Sequence, residues 1–285
     1  MHGTVYLDGR FVAAAEAKVS IFDRGFLFGD AAYEVIPVYG GRVFRPAQHF
    51  ERLRASLAVL GIASPHDDAG WNGIIARLLA DAGQGEHSLY IQVSRGVDQG
   101  RDAVHFTGLE PTVLVMLEPV TLDRAALRQG IRAVLLEDTR WQNCHVKSTS
   151  LLGNLLLRRR ALESGAAEAL LARDGELTEG TSSNVFAVLG GELRTAPADR
   201  RILRGITRDV VIELAAACGM PVAERAPALA ELPLARELFI CSSTREIVPV
   251  TVLDGRPVGD GVPGPRTRRL IEAFDDFKRA FMEAA

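Results

Sequence analysis

Lysine is almost missing from this chain. Of its 33 basic residues only three are lysines, Lys18, Lys147 and Lys278, and arginine carries the rest of the positive charge. A lysine amine can shed its proton and act as a nucleophile, whereas a guanidinium effectively cannot. Lys147, in "RWQNCHVKSTSLLGN" (residues 140–154), stands alone between the other two. Chance also leaves a few lysines in an arginine-biased chain, so position alone leaves a chemical and an incidental reading open. Cysteine is equally sparse. Cys144, Cys218 and Cys241 are odd in number and lack C-x-x-C spacing, which argues against a disulfide framework or a structural zinc and fits a reducing compartment. The N-terminal "MHGTVYLDGRFV" has no basic segment followed by an apolar run, so no signal peptide is expected. No apolar stretch reaches membrane-spanning length. A net charge of −3 gives nucleic acid or an anionic membrane no electrostatic reason to bind. These absences predict a soluble, cytoplasmic protein without a resident metal.

What is present is globular in composition, 47% hydrophobic and 24% charged over 285 residues, enough for one large domain or two smaller ones. Asp8-Gly9 in "TVYLDGRFV" and Gly40-Gly41 in "YEVIPVYGGRVF" predict tight hairpins. Phe50, Leu53, Leu57 and Leu60 recur at helical spacing, predicting a helix over 46–60 closed by Gly61. A second helix is predicted over 69–82, and strands at "SLYIQVS" and "TVLVML". Pro119 interrupts the pattern in "EPVTLD", which predicts a linker at 118–123 between an N-terminal domain (1–117) and a C-terminal one (124–285). The second half alternates again. It opens with a strand at "IRAVLLED" and a helix at "SLLGNLLLRRRALESG". Hairpins follow at Asp174-Gly175 and Gly190-Gly191, then a helix at "GITRDVVIELAAACG", a hairpin in "EIVPVTVLDGRPV" and a terminal amphipathic helix. The fold class this predicts is mixed α/β (α+β) in two domains, without the strict strand–helix alternation of a doubly wound sheet.

Were Lys147 to form an imine with a carbonyl cofactor such as pyridoxal phosphate, the chain would need a phosphate seat and a partner for the ring nitrogen. "LRGITRD" brings a glycine, backbone amides and a hydroxyl to a helix start, which suits a dianion. It is equally an ordinary helix start capped by Thr207. "CSSTRE" at 241–246 adds hydroxyls that are also common in turns. In "LTEGTSSNVF", Glu179 ends a strand, either as the carboxylate that keeps a pyridine nitrogen protonated or as a solvated hairpin glutamate.

Taken together, "DRGFLFGDAAYEV", "HVKSTSLLGN", "ELTEGTSSNVF" and "ILRGITRDVV" resemble, in order and spacing, the fold-type IV pyridoxal-phosphate enzymes, and among them the bacterial D-amino-acid transaminases. The resemblance implies a two-domain fold-type IV architecture. It also implies a homodimer that uses pyridoxal 5′-phosphate to move an amino group from a D-amino acid to a 2-oxo acid. Lys147 is implied to bind the cofactor and to shuttle the proton, and Glu179 to pair with the ring nitrogen. Arg52, Gly205, Ile206, Thr207, Ser243 and Thr244 are implied to hold the phosphate. The resemblance also implies that Leu203 lies against the ring, that Ser183 and Asn184 follow Glu179 in the matching strand, and that Tyr33 is an active-site tyrosine near the substrate carboxylate. One segment departs from the family pattern. The Arg-x-His pair that holds the substrate carboxylate is replaced by "SRGVDQGRDAVHFTG", where three residues separate Arg101 from His105, with Arg101 expected to be the main ligand. Other activities on this fold are (R)-selective amine transamination, branched-chain L-amino-acid transamination and aminodeoxychorismate cleavage. A cofactor-binding protein without turnover is the reading from another class.

Overall fold

The computed structural model describes residues 3–82 and 85–284. The chain forms two compact units. The first runs to Val120 and takes in Val146–Leu151, and the second comprises Thr121–His145 and Leu152 onward. Lys147 therefore packs with the first unit, although its place in sequence assigned it to the C-terminal domain. The reason is backbone pairing. The Tyr33 N–H donates to the Lys147 carbonyl at 2.9 Å, the Thr149 N–H donates to Ala31, and Ser148 forms a bridge with Ala32. The linker expectation also shifts, since the strand Val113–Pro119 occupies the start of 118–123 and pairs with His87–Ser94.

In the first unit the described strands form an antiparallel sheet in the order Arg10–Ala13, Thr4–Leu7, Val113–Pro119, His87–Ser94, Ala31–Tyr39, Arg42–Val43. Its hairpins turn where the sequence indicated, with Asp8 and Gly9 both at positive φ (46° and 83°), as a two-residue turn of matching twist requires. Helices Pro46–Leu60 and Asp68–Ala80 present Phe50, Leu53, Leu57, Trp71, Ile75 and Leu78 to Ile36, Val38, Leu89, Ile91 and Val93 of the sheet. Strand period then decides what reaches that core. Ala32, Glu34, Ile36 and Val38 share one face, so Glu34 is carried into the apolar layer beneath the helix, while Tyr33 lies on the opposite face.

The second unit holds a mixed sheet in the order Val222–Ala223, Glu192–Arg194, Asn184–Leu189, Glu237–Ser242, Glu246–Leu253, Ile131–Glu137, Glu168–Arg173, Glu176–Gly180, with Arg256–Pro257 paired to Glu246–Leu253. Helix Leu152–Glu163 makes the crossover between the parallel strands Ile131–Glu137 and Glu168–Arg173, burying Leu157 and Ala161 against Ala169 and Leu171. The strand Glu237–Ser242 was not anticipated. It is buried along nearly its whole length and lacks the alternation that marks a half-exposed strand. Helix Ile206–Ala217 follows Gly205, and Gly219 terminates it at φ 68°.

Candidate active site

In the first unit the site begins at Lys147. Its N–H donates to Ser56 Oγ at 3.0 Å, and its Nζ lies 4.2 Å from the centre of the Tyr33 ring. Tyr33 in turn stacks on Tyr90, with ring centres 5.6 Å apart. The structure thus brings two of the expected residues, Lys147 and Tyr33, together. Beneath them lies a group the sequence did not reveal. Glu34, fully buried, receives Arg52 Nε and Nη2, each at 2.7 Å, and His49 Nδ1 at 2.7 Å. Arg52 and His49 together hold the Glu34 carboxyl well below the ordinary carboxylate range, overcoming the opposing effect of burial. Burial lowers the basicity of His49, against the pull of Glu34. Its buried Nε2 has no hydrogen-bond partner among the described residues. Arg52, expected at a phosphate, thus has two arms of its guanidinium on Glu34.

Arg101 and His105 lie on one loop in different settings. Arg101 sits over the Phe28 ring, 5.3 Å from its centre, as an exposed cation. His105 Nδ1 bonds Asp98 at 2.8 Å, and Asp98 is held in turn by the buried Arg24. Only His105 is tied into the buried ion-pair cluster of Arg24, Asp30 and Arg95.

In the second unit Glu179 stands at the end of strand Glu176–Gly180, only 5% exposed. Its Oε2 receives the Leu203 N–H at 3.0 Å and Asn184 Nδ2 at 3.3 Å, and its Oε1 receives Arg140 Nη1 at 2.8 Å. Asn184 Nδ2 also donates to the Leu203 carbonyl at 2.8 Å. Two residues on, Gly205 begins the helix, and a Cβ added there would come within 2.1 Å of Asn184 Oδ1. Asn184 therefore joins the carboxylate to the helix start. No side chain caps that start, and the first-turn N–H groups of Ile206 and Thr207 have no intrahelical acceptor. Thr207 is buried at the second helical position and does not serve as the cap. Ser183 belongs to another cluster, its Oγ donating to Glu168 at 3.2 Å. Ser243 and Thr244 lie in the turn after Glu237–Ser242, where Arg124 holds the Thr244 carbonyl at 3.0–3.1 Å. Sequence reasoning missed Arg140 and Asp138 as well as Glu34. The available signal was an Asp-x-Arg pair directly after a strand, and a glutamate on the apolar face of an alternating one.

The family description "Amino-transferase class IV" matches residues 31–253. The chain belongs to the class IV aminotransferases, fold-type IV enzymes that work with pyridoxal 5′-phosphate. Among individual relatives, the D-alanine aminotransferase of Bacillus licheniformis is 38% identical over 95% of this chain and 96% of its own length. That of Staphylococcus aureus (strain COL) is 37% identical over 96% and 97%. Among solved structures, a branched-chain amino acid aminotransferase of Escherichia coli superposes with a TM-score of 0.91 at 27% identity, covering 97% of this chain and 94% of the other. The branched-chain aminotransferase of the thermophilic archaeon Thermoproteus uzoniensis, solved with norvaline, gives 0.89 at 27%, covering 97% and 94%.

Taken by itself, each unit holds groups whose chemistry suits such a cofactor. The first supplies an amine beside an aromatic ring. The second supplies a buried carboxylate acceptor and, through Asn184, a helix start at Gly205 where backbone is exposed by the absence of a side chain. Among the described residues no cluster could hold a metal ion.

Proposed function

We propose that this aminotransferase moves an amino group between D-amino acids and 2-oxo acids by a ping-pong mechanism, as a cytoplasmic homodimer. The near full-length likeness to D-alanine aminotransferases, 38% identical against 27% for the branched-chain structure, carries the choice of substrate. Pyridoxal 5′-phosphate, when bound, supplies an aldehyde for amine attack and a protonated ring that withdraws electrons from the substrate Cα. Lys147 Nζ would anchor it and, once released by the incoming amine, would carry the proton between the substrate Cα and the cofactor C4′ carbon. The Tyr33 ring supports Nζ in that position. Glu179 accepts from the ring nitrogen, and the helix start at Gly205–Thr207, with Ser243 and Thr244, receives the phosphate. Arg52 takes part in phosphate binding as an arm already braced by Glu34. Leu203 supports the ring, and Asn184 aligns Glu179 with the phosphate seat, while Ser183 steadies the strand start through Glu168. Arg101, an exposed cation on its loop, binds the substrate carboxylate, with His105 in a lesser part.

The dimer reading is supported by helix Leu152–Glu163, which leaves Leu152, Leu155 and Leu156 exposed at i, i+3 and i+4. The cytoplasmic reading is supported by three unpaired cysteines, two of them buried. The substrate test is a single-turnover absorbance experiment on the cofactor-loaded protein, mixed separately with D-alanine, L-alanine, L-leucine and an (R)-amine. Rapid loss of the bound-aldehyde band with D-alanine alone is expected. A faster response to L-leucine would move the reading to the branched-chain class. A faster response to the (R)-amine would move it to amine transamination.

A further inference from the structure

We infer that Arg140, clamped by Asp138, is the positioning residue that keeps Glu179 ionised and aimed as acceptor for the cofactor's ring nitrogen. The inference rests on the aminotransferase reading above and concerns residues of the second unit only. Arg140 is buried, and its guanidinium is divided between two carboxylates. Nε and Nη2 bond the two oxygens of Asp138, each at 2.9 Å, and Nη1 reaches Glu179 Oε1 at 2.8 Å. A planar fork fixed at two corners cannot swing its third. Asp138 is itself fixed by Thr178 Oγ1 at 2.9 Å and by an ion pair to Arg173 at 3.2 Å. Charge therefore alternates along Arg173, Asp138, Arg140 and Glu179.

Glu179 therefore has Arg140 as its cationic hydrogen-bond donor, and it shares that guanidinium with Asp138. Besides Arg140, Asp138 and Cys144 are electrostatically coupled to Glu179. Burial pushes the Cys144 thiol up to about 11, so it stays neutral. The other donors to Glu179, Leu203 N–H and Asn184 Nδ2, are neutral. Burial lifts the Glu179 carboxyl to about 7 even against the pull of Arg140. Without Arg140, Glu179 would keep no cationic hydrogen-bond donor among the described residues and Asp138 would repel it, so it would take up a proton. A protonated Glu179 offers the ring nitrogen an O–H donor in place of an acceptor, and the nitrogen would lose its proton.

The test uses the cofactor-loaded enzyme carrying a ring-nitrogen 15N label, in wild type, Arg140→Lys, Arg140→Met, Asp138→Asn, Glu179→Gln and the Arg140→Met/Glu179→Gln double variant. Wild type and Arg140→Lys should give a protonated-ring nitrogen signal at neutral pH. Arg140→Met should give the unprotonated signal of Glu179→Gln while keeping a borohydride-reducible link to Lys147. Its half-reaction with D-alanine should slow about ten- to a hundredfold, the weight of one charge-assisted hydrogen bond. The double variant should be no slower than Glu179→Gln, since both changes remove one function. Should Arg140→Met not fold, Asp138→Asn decides, because it keeps the guanidinium but frees its fork, and its nitrogen signal should move toward the unprotonated form. A protonated ring in Arg140→Met, an unmoved signal in Asp138→Asn, or additive losses in the double variant would each overturn the inference. Failure of the wild type to bind cofactor at Lys147 would instead overturn the aminotransferase assignment.

Discussion

Two buried glutamates, one in each unit, are driven in opposite directions. Glu34 and Glu179 are both almost wholly withdrawn from water. Glu34 takes both contacting arms of Arg52 and a ring N–H of His49, and these hold its carboxyl well below the ordinary range. Glu179 takes a single arm of an arginine whose other two contacts belong to Asp138, and burial carries it up to about 7. Burial is common to both, so it does not decide the outcome. What decides is how many charged donors each carboxylate has to itself. Glu34 is locked as an anion and serves as a brace between strand and helix. Glu179 is left responsive to one further donor.

The largest effect sets the floor against which either carboxylate is read. Lys147→Ala and Lys147→Arg should abolish turnover and the borohydride-reducible cofactor link, measured by activity and by mass of the reduced protein. A surviving link in either variant would remove Lys147 from its role.

Next in size is Glu34. Glu34→Leu removes the buried carboxylate that Arg52 and His49 both bond, and breaking a buried ion pair costs about 3–5 kcal/mol. Because Arg52 keeps some contact with solvent, the lower end applies, measured as a shifted urea midpoint. Glu34 also predicts the acid limb of stability. Its depressed value means that its contribution is present at neutral pH and is lost as pH falls below the ordinary carboxylate range. A neutral Glu34→Leu result would show that the brace carries no load.

Glu179→Gln should act instead on the chemistry, slowing the half-reaction about ten- to a hundredfold. Its pH signature is also reversed. A carboxyl raised from 4.5 to about 7 holds its proton in the folded state after the unfolded chain has lost it. Cofactor-free wild type should therefore lose stability relative to Glu179→Gln as pH rises through that window. Parallel stability curves for the two proteins would erase the contrast with Glu34.

The smallest effects lie on the loop. Arg101→Ala should weaken D-alanine by about tenfold or more and leave an (R)-amine unaffected. His105→Ala should cost less with either substrate, because His105 is occupied with Asp98. Half-reaction kinetics with both substrates check this, and a larger loss at His105 would reverse the ranking.

Much of this molecule was legible wherever the cause was local. Asp8-Gly9, Gly40-Gly41, Asp174-Gly175 and Gly190-Gly191 all turn hairpins at positive φ, because few residues tolerate that conformation. Helix 46–60 and its Gly61 end follow from spacing alone. Lys147, Glu179 and the helix start at Gly205 were singled out by residue type and by resemblance. Glu34, Asp138 and Arg140 were not, because their meaning lies in partners distant along the chain. Arg140 meets Glu179 across 39 positions and Arg52 meets Glu34 across 18. The strand Glu237–Ser242 escaped for a related reason, since a strand buried on both faces shows no period.

Asn184 gives the second unit a property closer to mechanics than to chemistry. One amide plank touches the Glu179 carboxylate, the Leu203 carbonyl and the space a Gly205 side chain would occupy. The Glu179 carboxylate and the helix start at Gly205 are therefore the jaws of one caliper with a single pivot. A change at Asn184 opens or closes both jaws together, and a side chain at Gly205 drives the pivot itself, so the gap between them is inherited as one unit.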